Sequence, residues 1–403
     1  MNPPEIRKAP VSREMPYYDW SLDESVRYLR WLLAEFPFAD WKEHAVSDNA
    51  GGDGTPVRNS RSQAVQIAAM LSLFCAALLR NGANRMGFVY TANSQRSGKS
   101  LLAKLVIMPI YGSFKGLSWK NSEDELSKVI DAEMLTGSIY LCFDNVRGYV
   151  ASPTLEALMT SPSWSGRILK ETRMFEVKNR KTLFITGNDC VLSPDMAHRC
   201  LICNLHVNEG NVQDRQPSWV LDEEWLLNEE NKRCVLSALW GILRAWARAG
   251  KQSATSFGCK PRLGFERWCD IIGGIVAFAG FGDCLETPPV ESGGNTEEGC
   301  IRNLIDYLRV KTNEQRQEFE FKEICQICHD EGLFEWMLEG SERDGVFTPS
   351  PKCRSALGRM LSRYAPSTDE NKAPRRYVVA GKAYCFGTRD KGRKRRYFMQ
   401  EAA

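Results

Sequence analysis

One stretch constrains the fold more than any other part of the chain: an apolar run, a polar loop ending in Gly-Lys-Ser, and an apolar segment with the pattern of a helix. The first run is 86–92 (MGFVYTA), the loop is 93–100 (NSQRSGKS), and 101–108 (LLAKLVIM) is predicted to be helical until Pro109. Strand, loop and helix in this order place consecutive backbone N–H groups around an anion at a helix N-terminus. The pattern therefore predicts an α/β fold with a P-loop that binds ATP.

The loop residues have individual roles in this interpretation. Lys99 is predicted to reach the β and γ phosphate oxygens, and the Ser100 hydroxyl to bind Mg²⁺. The first loop position is usually glycine and here is Asn93, which tolerates left-handed backbone geometry better than other non-glycine residues. The alternative, a chance Gly-Lys-Ser, does not account for the flanking strand and helix. The predicted phosphate-binding residues are Asn93, Ser94, Gln95, Arg96, Ser97, Gly98, Lys99, Ser100 and Leu101.

A second apolar run, 138–143 (SIYLCF), ends in Asp144 and Asn145. In P-loop enzymes such a strand delivers an aspartate to the metal, so Asp144 is predicted to hold Mg²⁺ together with Ser100. The next residue is usually a glutamate that polarises the attacking water, whereas Asn145 can orient water but cannot accept its proton. Either Asn145 positions the water and a carboxylate comes from elsewhere, or hydrolysis is slow.

Glu125 is a candidate for that carboxylate, in the segment 121–128 (NSEDELSK). The alternative is structural, because Ser122 followed three residues later by Glu125 is the pattern of a capping box at a helix N-terminus. On the sequence alone both interpretations stay open.

A third apolar run, 181–188 (KTLFITGN), ends in Asn188, which is predicted to hold the attacking water against the γ-phosphate. Arg199 follows in 195–199 (DMAHR). It is predicted to enter the site of a neighbouring subunit and neutralise charge that develops during hydrolysis, as an arginine finger does. The alternative for Arg199 is a surface or intra-subunit salt bridge.

The segment 164–181, between the second and third runs, is basic and has interleaved aromatic residues. A hairpin here could follow a phosphate backbone in the channel of a ring-shaped ATPase. The alternative is a plain surface hairpin. The predicted DNA contacts in this segment are Lys170, Arg173 and Lys178.

Charge is distributed unevenly along the chain. From residue 351 onward there are fourteen lysines and arginines against four acidic residues, a net charge of +10, in a chain whose formal charge is +3. The first 350 residues therefore carry −7. A basic module attached to a mildly acidic body usually has an anionic polymer as its partner, and a solvated charged face is the alternative.

The segment 298–403 is predicted to contain three helices followed by two strands, which is the order of a winged helix. Such a domain presents its third helix to a DNA groove and its hairpin to phosphates, although some winged helices bind proteins instead. In the third helix, 351–364, the residues predicted to face the core are Ala356, Leu357, Met360 and Leu361. The predicted DNA contacts are Arg354, Arg363, Arg393, Lys394, Arg395 and Arg396.

The sequence also argues against some classes of protein. The N-terminus has no apolar region typical of a secretory signal, and the longest apolar stretch, 64–79, is interrupted by Gln66 and Ser72. That stretch is predicted to be a buried helix, so no membrane partner is expected. Fourteen cysteines without framework spacing indicate reduced thiols and a cytoplasmic location.

Two cysteine pairs have the spacing of metal or haem ligands. Cys325 and Cys328, the latter followed by His329, fall on one face of a predicted core helix. Cys200 and Cys203 lie in a strand-like run with no second ligand pair nearby. Neither pair is predicted to bind a metal.

Together these motifs resemble the helicase half of phage and mobile-element primase-helicases, which are AAA+ proteins related to superfamily 3 and to MCM-like self-loading helicases. The segments that carry the resemblance are NSQRSGKS (93–100), YLCFDNV (140–146), SWSGRILK (163–170), ITGNDCVLSPDMAHRC (185–200) and GFERWCDIIGGIVAFAGFGDCL (264–285). It covers about residues 60–290, with a looser match in the tail. Asp followed by Asn is common in that group, whereas its members often have two consecutive arginines where this chain has His198 and Arg199.

The resemblance implies an AAA+ P-loop core with an N-terminal helical region, a helical lid and a C-terminal winged helix. The corresponding segments are 1–60, 61–216, 217–290 and 298–403, with a linker rich in Pro, Gly and Glu at 286–299.

It further implies an ATP-dependent DNA helicase or translocase of a phage or mobile genetic element. The expected assembly is a homo-hexamer with ATP between subunits, acting on single-stranded or forked DNA. No primase region precedes the motor segment, so a separate primase or initiator protein is an expected partner. Two alternatives remain: an ATP-regulated DNA-binding initiator or adaptor that does not unwind, and an ATPase that remodels proteins.

Overall fold

The computed structural model describes residues 10–12, 15–43, 58–79, 83–92, 96–120, 122–168, 173–207, 221–286, 297–311, 318–367, 374–379, 382–391 and 394–401. The chain divides into two compact units. Unit 1 comprises Met1–Arg147, Ala151–Cys190 and Asp195–Thr287, and unit 2 comprises Gly148–Val150, Val191–Pro194 and Pro288–Ala403.

The strands before residue 288 include those of the central sheet. In chain order they are β1 (Pro10–Ser12), β2 (Met15–Tyr18), β3 (Trp41–Glu43), β4 (Arg58–Ser60), β5 (Gly87–Ala92), β6 (Leu117–Ser118), β7 (Tyr140–Val150), β8 (Ser163–Arg167), β9 (Met174–Lys178), β10 (Thr182–Leu192) and β11 (Cys200–Leu205). The helices are α1 (Leu22–Leu33), α2 (Arg61–Phe74), α3 (Lys99–Tyr111), α4 (Glu123–Met134), α5 (Pro153–Thr160), α6 (Pro194–Arg199), α7 (Glu223–Leu227), α8 (Glu229–Arg248), α9 (Glu266–Trp268) and α10 (Gly274–Phe278).

A five-stranded sheet in the order β11-β5-β10-β7-β6 forms the centre of unit 1. β5 pairs in parallel with both β10 and β11, and β6 pairs in parallel with β7. All of β11 is buried, as is β5 up to its last residue. Strands covered on both faces are apolar throughout, which is why these runs were visible in the sequence. The predicted α/β class is confirmed.

The N-terminal helix and the helical segment after residue 220 share one hydrophobic core with the sheet. α1 packs against α8, and α2 packs against β11 and α3. The core continues through Trp268, whose ring lies 6.0 Å from that of Phe88 on β5. These segments fall in one compact unit, and the predicted divisions near residues 60 and 216 remain predictions within it. The last segment of unit 1 ends at Thr287, and the helix that follows begins at Glu297, inside the predicted linker at 286–299.

α3 does not end before Pro109 as predicted, but continues to Tyr111. Pro109 lies in the last turn, so only the hydrogen bond to the carbonyl of Leu105 is lost at that point. The helix then stops at Gly112, whose left-handed backbone (φ +71°) lets its N–H donate to the Met108 carbonyl at 2.8 Å.

The described part of unit 2 contains three longer helices and a four-stranded antiparallel sheet in the order β12-β17-β16-β15. In chain order its elements are α11 (Glu297–Lys311), β12 (Glu318–Glu320), α12 (Phe321–Asp330), β13 (Gly340–Arg343), β14 (Val346–Pro349), α13 (Pro351–Tyr364), β15 (Arg375–Val379), β16 (Lys382–Lys391) and β17 (Lys394–Glu401).

The predicted order of three helices is present in unit 2, but the prediction of two final strands was wrong. β15, β16 and β17 follow α13, β12 precedes α12, and the hairpin β13–β14 separates α12 from α13. The basic start of β17 hid its strand character, although Tyr397 and Met399 further along it are buried. α12 carries Ile324, Cys325 and Cys328 into the core, which confirms the prediction of a core helix.

Every cysteine of the chain is a free thiol, and all except Cys385 are buried. Within the described ranges, no three His, Cys, Asp or Glu side chains come together in a group suited to a metal ion. A membrane-crossing helix would need greater length and apolarity than any helix in the described part of the chain has.

Candidate nucleotide site and nucleic-acid surfaces

Neighbouring strands of the central sheet bring the predicted nucleotide-site residues to one edge. β5 ends at Ala92, and the β10 residue that pairs with it is Asn188. On β7, Asp144 pairs with Ser118 of β6. The chain leaves β5 toward β6 and leaves β10 toward β11, in opposite directions across the sheet. In open α/β sheets, ligands bind beyond the carboxyl ends of the strands at such a switch point.

The end of the loop has the backbone geometry that the glycine suggests. Gly98 adopts φ +100° and is the N-cap of α3. A Cβ at this position would lie 3.0 Å from Cε1 of Phe36, so both the backbone and the neighbouring ring favour glycine. Arg96 also has a positive φ (+58°) and an exposed side chain. The first loop residues, Asn93, Ser94 and Gln95, lie outside the described residues.

The N-terminus of α3 faces the loop without a side chain to cap it. The first backbone bond of the helix joins the Leu102 N–H to the Gly98 carbonyl at 2.9 Å. The N–H groups of Lys99, Ser100 and Leu101 come before it and have no carbonyl partner within the helix. Such a turn, at the positive end of the helix dipole, attracts anions.

The Lys99 ammonium is held inside this loop. Lys99 is 8% exposed, and its Nζ donates a hydrogen bond to Oγ of Ser97 at 3.0 Å. Ser97 is itself buried. A cation at the mouth of a helix N-terminus is suited to the outer phosphates of a triphosphate.

Ser100 and Asp144 come together although they are on different elements. The Ser100 hydroxyl donates to Oδ1 of Asp144 at 2.8 Å. The hydroxyl of Thr186, on β10, donates to the same oxygen at 2.5 Å. Thr186 was not predicted as a site residue, because a β-branched residue in an apolar strand predicts strand structure. The available signal was that it is polar and lies two residues before Asn188.

Asn145 has a backbone role that its sequence position did not reveal. It is exposed and adopts φ +60°, a left-handed conformation that asparagine tolerates better than most residues. Its N–H donates to Oγ1 of Thr186 at 3.0 Å. Its presence after Asp144 is thus explained by local geometry as well as by any contact with water.

The donors present fit a Mg²⁺–triphosphate. Mg²⁺ prefers oxygen ligands and usually takes one or two from the protein and the rest from phosphates and water. The Ser100 hydroxyl and the Asp144 carboxylate, which lie in hydrogen-bond contact, supply such oxygens beside the N-terminus of α3.

Asn188 and Glu125 differ in how far the structure supports their predicted roles. The β10 register places the backbone of Asn188 beside the residue that precedes the loop, while its side chain lies outside the described part of the structure. Glu125 is 55% exposed on α4 and forms an ion pair with Lys128 at 2.5 Å. This pair lowers the pKa of the Glu125 carboxyl, which suits a base poorly. The capping box does not form either, since the Ser122 side chain makes no capping hydrogen bond.

Arg199 lies at the end of α6, and Arg262 holds that end in place. The guanidinium of Arg262 donates to the carbonyls of Ala197 (3.0 Å), His198 (3.1 Å) and Cys200 (2.9 Å). Arg199 is half-buried, forms no ion pair with a described residue, and its Nε is buried without a hydrogen-bond partner among them. The intra-subunit salt bridge considered for Arg199 is therefore not present in the described part of the chain.

The predicted hairpin between the second and third runs is confirmed as β8–β9, which pair in antiparallel register. α4 anchors it through Asp131, which accepts from the Trp164 indole at 2.8 Å and from the Arg167 N–H at 3.3 Å. Arg173 and Lys178 are exposed on the hairpin. Lys170 lies in the turn outside the described residues.

Two basic side chains of α13 that were predicted to contact DNA, Arg354 and Arg363, already have partners within the protein. Arg363 forms an ion pair with Glu297 at 3.0 Å, and Glu297 is 1% exposed. Arg354 donates to the Pro349 carbonyl at 3.2 Å. Arg359, which was not predicted, is exposed and forms no ion pair with any described residue. It lies opposite the buried face of α13, whereas Arg354 and Arg363 lie at the flanks of that face.

The basic end of the chain likewise has one cation that is paired within the protein and one that is exposed. Arg396 forms an ion pair with Glu320 at 2.7 Å, across the pairing of β17 with β12. Arg395 is exposed. Arg393 and the side chain of Lys394 lie outside the described residues. The predicted free cluster of four cations is therefore reduced by at least Arg396.

No family model matches this chain, and neither does any curated protein. Among solved structures, the apo A form of the NrS-1 C-terminal region is similar at 14% identity and a TM-score of 0.27, over 44% of this chain and 45% of that one. Another structure of that region matches 95% of this chain and 79% of its own, at 12% identity and a TM-score of 0.33.

A small-molecule complex of JCV helicase matches at 13% identity and a TM-score of 0.28, over 55% of this chain and 61% of that one. This chain thus covers less than half of the first NrS-1 structure. TM-scores this low establish neither a shared fold nor a shared activity, so the functional assignment depends on the residues of this chain.

Proposed function

We propose that this chain is a Mg²⁺-dependent ATPase that works on DNA as a helicase or translocase. One observation carries the proposal: the Ser100 hydroxyl, at the N-terminus of a helix that follows a glycine with positive φ, meets the Asp144 carboxylate delivered by a separate strand. Lys99, Ser100 and Asp144 also belong to the sequence motifs that predict one nucleotide site. Their convergence supports a triphosphate as the ligand.

Each residue of the site has a physical role in this proposal. Backbone N–H groups at the start of α3 bind the phosphates, and Lys99 neutralises their outer charge. Ser100 and Asp144 hold Mg²⁺, which when bound neutralises charge on the phosphate oxygens. Asn188, the β10 residue that pairs with the last residue of β5, orients the attacking water. Positioning and charge neutralisation supply most of the rate in phosphoryl transfer, so a strong base is not required in the site.

The proposed assembly is a ring, expected to be a homo-hexamer, in which Arg199 enters the site of a neighbouring subunit. Two observations support this role: no described residue pairs with Arg199, and Arg262 fixes the carbonyls around it. An arginine supplied in trans stabilises the charge of the transition state.

The proposed DNA contacts lie on the β8–β9 hairpin and on the exposed face of α13. Arg173 and Lys178 project from a hairpin that Asp131 anchors, and Arg359 lies on the face of α13 opposite its core. Basic side chains on an ordered support bind a phosphate backbone without sequence preference. Unit 2 is proposed to be a DNA-binding winged helix, and a separate primase or initiator of a mobile genetic element is the proposed partner.

A second candidate function is an ATP-regulated initiator or adaptor that binds DNA but does not unwind it. The observation that favours it concerns the candidates for a carboxylate base among the described residues: Asn145 follows Asp144, and Glu125 is paired with Lys128 on the surface. Slow hydrolysis suits a switch better than a motor.

The test is ATP hydrolysis with and without single-stranded DNA, together with strand displacement on forked DNA. Wild-type protein should hydrolyse ATP faster with DNA, and Lys99→Ala should lose turnover. Lys104→Ala is the matched control, because Lys104 lies on the same helix and pairs with Glu223 away from the loop.

Displacement of a forked strand supports the helicase, whereas DNA-stimulated hydrolysis without displacement supports the adaptor. Hydrolysis by Lys99→Ala at the wild-type rate would refute the site.

A further inference from the structure

Thr186 is a hydroxyl-bearing side chain inside the buried part of β10. It is 1% exposed, and its neighbours Phe184 and Ile185 in the same strand are wholly buried. Most buried hydroxyl groups in proteins are hydrogen-bonded. The partners of Thr186 are Asp144 and Asn145, on β7 at the proposed nucleotide site. Its position therefore calls for a functional explanation as well as a packing one.

The hydrogen bonds of Thr186 fix the direction of its single proton. The Asn145 N–H donates to Oγ1 of Thr186 at 3.0 Å, so this bond uses an oxygen lone pair. The hydroxyl hydrogen is then directed to Oδ1 of Asp144, 2.5 Å away. A threonine hydroxyl has one donor and two acceptor sites, so both bonds form together.

Asp144 consequently has two donors on one oxygen. Ser100 approaches Oδ1 from α3 at 2.8 Å, and Thr186 approaches it from β10. A carboxylate held by hydroxyls from two different elements has a defined orientation, which is the condition for presenting an oxygen to a metal ion.

The backbone is arranged to allow this contact. A Cβ at Gly187 would lie only 2.2 Å from the Val146 carbonyl oxygen, so β10 and β7 approach each other too closely at this point for any other residue. On the β7 side, Asn145 adopts φ +60° and its N–H meets Thr186. The close approach at Gly187 and the left-handed backbone of Asn145 both lie next to Thr186.

We propose that Thr186 is a positioning residue that orients the Asp144 carboxylate for the Mg²⁺–nucleotide. The inference rests on the proposed function, and it assigns to β10 a second role besides carrying Asn188. The hydroxyl acts through Asp144 and does not itself contact the nucleotide. Loss of the hydroxyl frees the carboxylate to rotate while the phosphate-binding loop stays intact.

The chain offers a matched control on the same strand. Thr182 is also 1% exposed and lies four residues earlier, on the same face of β10. Its Oγ1 is buried without a hydrogen-bond partner in the described part of the structure. Thr182→Val and Thr186→Val therefore make the same chemical change in the same strand, and only the second removes hydrogen bonds.

The experiment is a calorimetric titration of the full chain with ATPγS, at a series of MgCl₂ concentrations and in EDTA. For Thr186→Val we expect the Mg²⁺ concentration for half-maximal enhancement of binding to rise about tenfold, the effect of losing one hydrogen bond to a charged group. Binding in EDTA should match wild type. Thr186→Ser should restore the Mg²⁺ response, and Thr182→Val should match wild type throughout.

A Mg²⁺ response of Thr186→Val equal to that of Thr182→Val would overturn the inference while leaving the proposed function in place. If wild-type protein does not bind ATPγS, the proposed function fails together with the inference. Thermal melting checks that the variants fold. Should Thr186→Val not fold, Thr186→Cys carries the same expectation when it is compared with Thr186→Ser, because these two variants differ only by sulfur in place of oxygen and a thiol is a much weaker donor.

Discussion

The nucleotide edge of unit 1 and the basic surface of unit 2 were both predicted from clusters of polar side chains, and they differ in what those clusters do. At the nucleotide edge, Ser100 at the start of α3 and Thr186 on β10 both donate hydrogen bonds to Asp144 on β7. In unit 2, Arg363 and Arg396 are occupied by Glu297 and Glu320 of the same unit.

The two regions differ in what determines the positions of their polar atoms. Side chains at the nucleotide edge are short and project directly from strands or from a helix start, so the backbone determines where their polar atoms lie. Arginine side chains are long, so they can form ion pairs with acidic residues far away in the sequence. A motif tied to backbone geometry thus predicts a site, whereas a count of charges predicts only the sign of a surface.

The largest expected effect comes from breaking the nucleotide edge itself. Asp144→Asn removes the charge that Ser100 and Thr186 orient, so ATP turnover should fall by about two to three orders of magnitude. Steady-state ATPase assays measure this, with Asp124→Asn on the exposed face of α4 as the control. Turnover within a few-fold of wild type would show that Asp144 is outside the working site.

A smaller effect is expected at the β8–β9 hairpin. It carries long basic side chains, as unit 2 does, and the short side chain of Asp131 holds it in place, as short side chains do at the nucleotide edge. Asp131→Ala removes the anchor of Trp164, so the ratio of DNA-stimulated to basal ATPase should fall about tenfold, as for one lost charge-assisted hydrogen bond. Asp124→Ala on the same helix should keep the wild-type ratio. An unchanged ratio in Asp131→Ala would mean that the hairpin does not couple DNA to hydrolysis.

The comparison predicts opposite behaviour for two arginines one turn apart on α13. Arg359→Ala should reduce the slope of log affinity for DNA against log salt by about 0.7 to 0.9, the loss of one phosphate contact, and leave the melting temperature unchanged. Arg363→Ala should leave the slope unchanged and lower the melting temperature of unit 2 by about 5 °C, because Glu297 loses its cation.

Fluorescence titrations at several salt concentrations and thermal melts measure these effects. The interpretation of α13 fails if the two variants behave alike, or if their effects are exchanged.

The smallest expected effect concerns a buried lysine that belongs neither to the nucleotide edge nor to the basic surface of unit 2. Lys181 is 6% exposed, and its Nζ donates to Thr136 and Ser138. Burial lowers the pKa of Lys181 from 10.5 to about 8. The unfolded chain therefore binds more protons between pH 8 and 10.5, so this residue makes stability rise with pH across that window.

Lys181→Met removes that contribution. The melting temperature of wild type relative to the variant should rise by about 2 °C between pH 8 and pH 10 and be flat below pH 8. Scanning calorimetry of both proteins measures the difference, in which the ionisation of other groups cancels. A constant difference across this range would mean that the folded state does not depress the lysine's pKa.

The sequence predicted those parts of the fold and site in which local pattern and backbone geometry coincide. The predicted apolar runs 86–92, 138–143 and 181–188 correspond to β5, β7 and β10, although β7 continues to Val150 and β10 to Leu192. The core face of α12 was likewise visible from its spacing.

The parts that the sequence could not predict depend on contacts between distant segments. Glu297 and Arg363 are 66 positions apart, and no local pattern pairs them. Thr186 looks like an ordinary strand residue until β10 lies against β7. The helix through Pro109 depended on where the last turn falls, which the capping glycine three residues later determines.

The most direct test of the central claim is an experimental structure of the full chain with ATPγS and Mg²⁺. The account predicts the γ-phosphate in contact with Nζ of Lys99, the metal ion held by Ser100 and Asp144, and the phosphates surrounded by the N–H groups at the start of α3. A nucleotide bound elsewhere on the chain, with the N-terminus of α3 empty at saturating ligand, would contradict it.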